Sequence, residues 1–135
     1  MLDRNSDKEL RLRGEFEPVP PRQTPWGAAE HVERIARGIW HVSTPSHGGI
    51  WLSAERTAAL PSPELVGRTT PDGGSWFEED VEFAIPALVF LDAWRAHAEA
   101  TGRDPDQETA FPRQVLGHFR PQALAMIDAA QEATG

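Results

Sequence analysis

Gly38-Ile39-Trp40-His41-Val42-Ser43-Thr44-Pro45-Ser46-His47-Gly48-Gly49-Ile50-Trp51-Leu52 holds two apolar-rich segments joined by a loop with a proline at one end and paired glycines at the other. Residues 39–43 alternate apolar and polar side chains, the period of a strand with one buried face. Upstream, residues 28–36 read as another strand, and Gly38 turns the chain between the two. A third strand starts at Ile50, Trp51 and Leu52. Three short strands in succession, cut by glycines, predict an antiparallel β-meander.

Working outward, Ser53 is placed to N-cap a short helix over residues 54–60, which Pro61 and Pro63 stop. Residues 61–75 read as loop. From Trp76 to Leu91, the recurrence of Val81, Ala84, Ile85, Leu88 and Leu91 predicts a core helix over 76–91. Phe83, Ala87 and Phe90 lie on its other side, and Pro86 is expected to bend it. Glu78, Glu79, Asp80 and Glu82 crowd its first turns, where the helix dipole favours negative charge. A second helix over 92–100, a turn over 101–106 and a last helix from Pro121 complete an α+β domain.

The 135 residues fit one domain. Residues 1–23 balance five basic groups against five acidic ones, end near Pro18-Val19-Pro20-Pro21 and carry few apolar residues, which predicts a flexible arm before a domain over 24–135. The net charge of −8 therefore lies wholly in the domain. That sign disfavours direct nucleic-acid binding. The absence of cysteine excludes disulfides and thiolate chemistry. No apolar run is long enough to span a membrane, and the charged N-terminus is not a secretory signal, so a cytoplasmic protein is expected.

Two places carry chemistry. In the loop, Ser46, His47, Gly48 and Gly49 first suit a hairpin connection whose side chains satisfy local backbone; if the glycines adopt positive φ, the titratable ring beside backbone N–H groups also suits an anion. On the helix, Glu78 and Glu82 stand one turn apart, either as a carboxylate pair of raised pKa or as a solvated helix start. His47 as acid–base with Glu78 as its partner makes a catalytic pair only if the two segments meet. His31, His41 and His47 form a weak metal set, and no metal or other cofactor is expected. Trp26, Trp40, Trp51 and Trp76 serve either as core or as the frame of an aromatic pocket. Glu78, Glu79, Asp80 and Glu82, with Asp104 and Asp106, could instead imitate a phosphate track on a partner protein.

Thr24-Pro25-Trp26-Gly27, Gly38-Ile39-Trp40, the Ser43 to Gly49 loop, Leu52-Ser53-Ala54-Glu55-Arg56 and Trp76-Phe77-Glu78-Glu79-Asp80 resemble an uncharacterised domain family of small phage, prophage and plasmid proteins. Where the family pattern usually carries Cys or another residue after Glu-Glu-Asp, this chain has Val81, which excludes a thiol role there. The resemblance implies a mobile-element setting, in which small proteins blunt host defence. Joined to the acidic domain, it leads to the expectation of an anti-defence inhibitor of a host nuclease complex, CRISPR-type or restriction, that binds the nuclease or its nucleic-acid-binding subunit. The alternative is a small enzyme or anion-binding domain using His47 and Glu78.

Overall fold

The computed structural model describes residues 17–134. Thr24 begins by folding the chain back on itself: its hydroxyl donates to the Gly27 carbonyl and accepts from the Trp26 N–H, making a small hairpin of β1 (Gln23–Thr24) and β2 (Gly27–Ala28). Next come β3 (His31–Ala36), β4 (Ile39–Ser43) and β5 (Gly48–Leu52), the expected meander, with Gly38 at φ 76° in the first turn. Helix α1 (Ala54–Ala58) follows, and Ser53 caps it by accepting from the Arg56 N–H at 3.2 Å. After a single 3₁₀ turn at Pro63–Leu65, β6 (Arg68–Thr69) and β7 (Ser75–Glu78) complete a five-stranded antiparallel sheet of order β3-β4-β5-β7-β6. The rest is helical: α2 (Ala84–Val89), α3 (Leu91–Ala100), α4 (Pro105–Phe119) and α5 (Pro121–Thr134).

Strand register sorts the side chains into two layers, since neighbours along a strand point to opposite faces. Glu33, His41, Ile50 and Phe77 form one row across β3, β4, β5 and β7. Ile39, Ile50, Leu52 and Phe77 on that face join Ile85, Leu88, Leu116 and Ile127 from the helices in the main core. Arg34, Trp40, Trp51, Trp76 and Arg68 make the alternate row. Trp51 and Trp76 pack with Val42 in a second core, against Trp26, Ala29 and Trp40, and Trp26 meets Trp76 edge-on with ring centroids 5.7 Å apart. The four tryptophans thus pack together.

The helix expected over 76–91 is the main correction. Its first part is strand β7, because Trp76 and Phe77 point to opposite faces and each meets a core, while the β7 backbone pairs with β5. The Glu78 carboxylate then accepts N–H bonds from Asp80, Val81 and Glu82 at 2.6–2.9 Å, which folds the chain into a turn. Only at Ala84 does the helix begin. Pro86 accordingly stands in its first turn, where a missing N–H costs nothing, rather than bending a longer helix. At Phe90 the backbone leaves helical geometry, separating α2 from α3. The turn expected over 101–106 is cut short by α4, whose cap is Asp104.

Gln131 on α5 donates to the Leu88 carbonyl at 2.8 Å, occupying an acceptor at the end of α2. Among the described residues no helix is long and apolar enough to cross a membrane. The arm expected over 1–23 lies mostly outside the described residues; of its described part, Glu17 pairs with Arg34, and Gln23 belongs to β1.

Candidate functional site

The two segments singled out in the sequence do meet. Gly49 on β5 is the register partner of Glu78 on β7, which sets the His47 loop beside the acidic turn. The loop itself is closed locally. Thr44 Oγ1 donates to the His47 carbonyl at 2.8 Å and accepts the His47 N–H, while the Thr44 N–H donates to the same carbonyl. Ser46 and His47 are exposed.

Gly48 and Gly49 do not adopt the positive φ an anion cradle was expected to use; they are paired residues of β5. Space explains them. A Cβ on Gly49 would lie 2.2 Å from the Phe77 carbonyl oxygen and 2.5 Å from the Trp26 ring, and one on Gly48 would lie 2.9 Å from the Val42 carbonyl.

Nor does Glu78 have the raised pKa expected of a carboxylate pair with Glu82. Burial pushes Glu78 upward, but the N–H bonds from Glu82, Asp80 and Val81, with the nearby His47, together hold its carboxyl below the ordinary value. Glu82 turns an oxygen back to the Glu78 N–H at 3.4 Å. The closest carboxylate contact of His47 is Glu79, with Nδ1 4.0 Å from Oε1. Asp104 accepts from the Asp106 N–H, and Asp106 pairs with Arg95 at 3.1 Å. Of the acidic residues assigned to a partner surface, Glu78 is half-buried and held by local backbone N–H groups, whereas Glu79, Asp80, Asp104 and Asp106 are exposed.

Beside this region, between the sheet face of β3–β5 and the helices α3 and α4, lies a cleft of about 250 Å³. Its floor is Ile35, His41 and Ile50; Trp94, His97 and Ala98 come from α3, Glu108 and Phe111 from α4, and Glu79 and Phe83 from the turn after β7. Phe83 and Phe111 stack at 5.9 Å between centroids. Glu33 reaches His97, with Oε2 2.9 Å from Nε2, and Arg103 stands 3.5 Å from the same oxygen. Arg103 also lies 3.6 Å from Glu108, and its Nε–H donates to Thr101. His41 is half-buried and has no side-chain hydrogen bond among the described residues.

Chemically, the cleft has an aromatic wall, a neutral-to-acidic rim and, in its lining, one imidazole that makes no hydrogen bond among the described residues. In the sequence His41 stands out only as one of three histidines weighed for a metal. His41 and His47 are not joined by further ligands: no group of three or more His, Cys, Asp or Glu placed to hold a metal occurs among the described residues. Glu33, His97, Arg103, Glu108 and Phe111 escape a reading of the sequence because they come from separate elements and share no local spacing. The Glu33–His41 register is the one available hint, since adjacent strands of a meander must place some such pair side by side.

The chain belongs to the family described as Domain of unknown function (DUF7007), whose profile matches residues 19–131. No curated protein matches the chain, and no solved structure does.

Proposed function

For this member of the DUF7007 family we propose a small-ligand-binding function centred on the cleft between β3–β5 and α3–α4. The observation that carries it is His41: an imidazole without an intramolecular hydrogen bond among the described residues, at the floor of a concavity where Glu33, His97, Arg103 and Glu108 are all engaged in pairs. A concave site with an apolar wall and a few convergent polar groups is the usual form of a ligand pocket. The matching ligand has a planar or apolar body for Phe83, Trp94 and Phe111 and a hydrogen-bonding head for His41. Three lining carboxylates against one arginine favour a head that is neutral or cationic. Should the ligand be turned over, His41 is positioned as the acid–base group. The test is a fragment screen read in wild type and variant alike by the indole N–H shift of Trp94, which lines the same cleft. Saturable binding lost in His41→Ala, with the fold retained, supports the reading; fragments that bind His41→Ala equally well sink it.

The second reading is the phage or plasmid anti-defence inhibitor that binds an Arg- and Lys-rich surface of a nuclease complex. Exposed Glu79 and Asp80, side by side in the turn after β7, favour it. It ranks second because Glu78 and Glu82, at the centre of the acidic segment, are drawn into the turn after β7. Reversal of Glu79, Asp80 and Glu82 to Lys tests it: inhibition of the target nuclease should disappear, and inhibition that persists removes the charge-mimic mechanism.

A further inference from the structure

A second hollow, of about 170 Å³, shares no lining residue with the cleft and includes Pro18, Arg37, Ser53, Glu55, Arg56 and Phe90. The hairpin turn builds it. Gly38 has φ 76°, and a Cβ there would come within 2.5 Å of Ser53 Oγ, so only glycine lets the β3–β4 tip lie against the start of α1. The Ser53 N–H donates to the Gly38 carbonyl at 2.9 Å. Arg37 is thereby brought beside Arg56, whose Nε–H donates to the Arg37 carbonyl at 3.0 Å and whose guanidinium carbon lies 4.9 Å from the Phe90 ring centroid.

Two guanidinium groups therefore converge without a counter-charge that neutralises both. Arg34, Arg95, Arg103 and Arg113 each have a carboxylate partner, whereas neither Arg37 nor Arg56 forms an ion pair among the described residues. Arg37 Nη1 is shielded from solvent and has no hydrogen-bond partner among those residues. Glu55 is the one carboxylate in the lining. Burial lowers the Arg56 pKa, Glu55 opposes the shift and Arg37 adds to it, as expected of cations crowded together. Ser53 Oγ accepts the Arg56 N–H and leaves its own proton to donate.

We propose that this hollow is an oxyanion site that takes a phosphate group, free or as a phosphomonoester, between Arg37 and Arg56. The forked, planar donors of two arginines suit a tetrahedral dianion, and its charge relieves their mutual repulsion. Ser53 supplies a further donor. Phe90 and the Arg37 carbonyl hold Arg56 in orientation, so Arg37 is the group that turns toward the ligand.

The test titrates inorganic phosphate and, in a separate arm, phenyl phosphate into the full chain, with chloride holding ionic strength constant. Arginine Nε–H resonances report the binding. Saturable shifts at Arg37 and Arg56 are expected, with affinity falling about tenfold in Arg37→Gln, the loss of one charge-assisted hydrogen bond. Arg37→Gln should keep or raise the Tm without phosphate, because it removes an unpaired shielded charge. Tighter saturation by phenyl phosphate identifies a monoester as the ligand; equal or weaker saturation identifies the free ion. Shifts that chloride reproduces, or equal affinity in wild type and Arg37→Gln, overturn the proposal. Should Arg37→Gln fail to fold, Arg56→Lys keeps the charge over Phe90 but loses the fork, and unchanged phosphate affinity in that variant is equally decisive against the site.

Discussion

Glu33 and His97 stand far apart in sequence and meet with Oε2 2.9 Å from Nε2, tying the outermost strand of the sheet to helix α3. Strand β3 is an edge, hydrogen-bonded to β4 alone within the sheet, and its first four residues are exposed. The contact with His97 therefore restrains an element that has little core of its own. Because Glu33 is about half exposed, the pair is worth about 1 kcal/mol rather than the larger value of a buried charge-assisted bond. Glu33→Gln and His97→Ala should each lower stability by about that amount. Hydrogen exchange of the β3 amides should accelerate more than that of β5; uniform acceleration across the sheet would mean that the contact does not act on the edge.

Glu78 makes a separate prediction, about acid. Its folded pKa is held below the ordinary value of 4.5, so its contribution is present in full above that value and is lost as pH falls through the depressed one. Removing a carboxylate that accepts several backbone N–H bonds resembles removing a helix cap, at a cost of about 1–2 kcal/mol. Glu78→Ala should show that loss at neutral pH and a flatter decline in stability below pH about 4.5. Denaturant melts from neutral to acid pH check both. An acid limb as steep as that of the wild type would assign acid sensitivity to other carboxylates.

Glu78 also shows how far the sequence can be read. The meander, the Gly38 turn, the Ser53 cap and the start of α5 at Pro121 rest on local signals that packing does not overrule. The apolar recurrence through Leu91 is genuine from Ala84 onward, but it does not reach back to Trp76, where two adjacent aromatic residues suit a strand buried on both faces. Strand β7 needs β5 beside it, and that pairing is not encoded within residues 75–78. Helix α4 is masked because Pro112 interrupts its pattern and its first turns are polar, although Asp104-Pro105 is a sound start signal. At the site, the His47 loop and the acidic turn are legible one at a time. The cleft is not, because its charged pairs join β3 to α3 and the 101–104 turn to α4, contacts that exist only after the layers pack.

Arg113 and Asp128 give a contrasting ion pair, between α4 and α5. The two guanidinium nitrogens reach the two carboxylate oxygens at 2.9 and 3.0 Å. The arginine hydrogen bond is the main reason the Asp128 carboxyl lies below its ordinary range, and the aspartate raises Arg113 in turn. Both side chains are more than a third exposed, so solvent screens the pair despite its good geometry. A double-mutant cycle with Arg113→Ala and Asp128→Ala should give a coupling of about 0.5 kcal/mol. It should shrink in 1 M salt, where the Debye length is about 3 Å, and fade as pH falls through the depressed Asp128 value. A salt-independent coupling would point to packing between the helices rather than charge.

Gly49 sets the harder constraint. Its absent side chain lets β7 and Trp26 close on β5, and a Cβ there would stand 2.2 Å from a backbone oxygen that cannot move without parting the strands. Gly49→Ala should therefore cost about 3 kcal/mol or more, at the upper end of overpacking penalties. Gly102 has φ 76° and nothing within 4 Å of where a Cβ would sit, so Gly102→Ala meets only the backbone strain of the left-handed region, about 1 kcal/mol. Thermal melts of the two variants separate close approach from conformational freedom as the reason for each glycine. Trp26 adds a check: trimming it in Trp26→Ala removes the ring that lies 2.5 Å from the Gly49 Cβ position but leaves the Phe77 carbonyl in place. If the strand backbone is the real obstacle, Gly49→Ala should cost nearly as much in the Trp26→Ala background as alone. Substantial rescue there would shift the constraint from the sheet to the tryptophan layer.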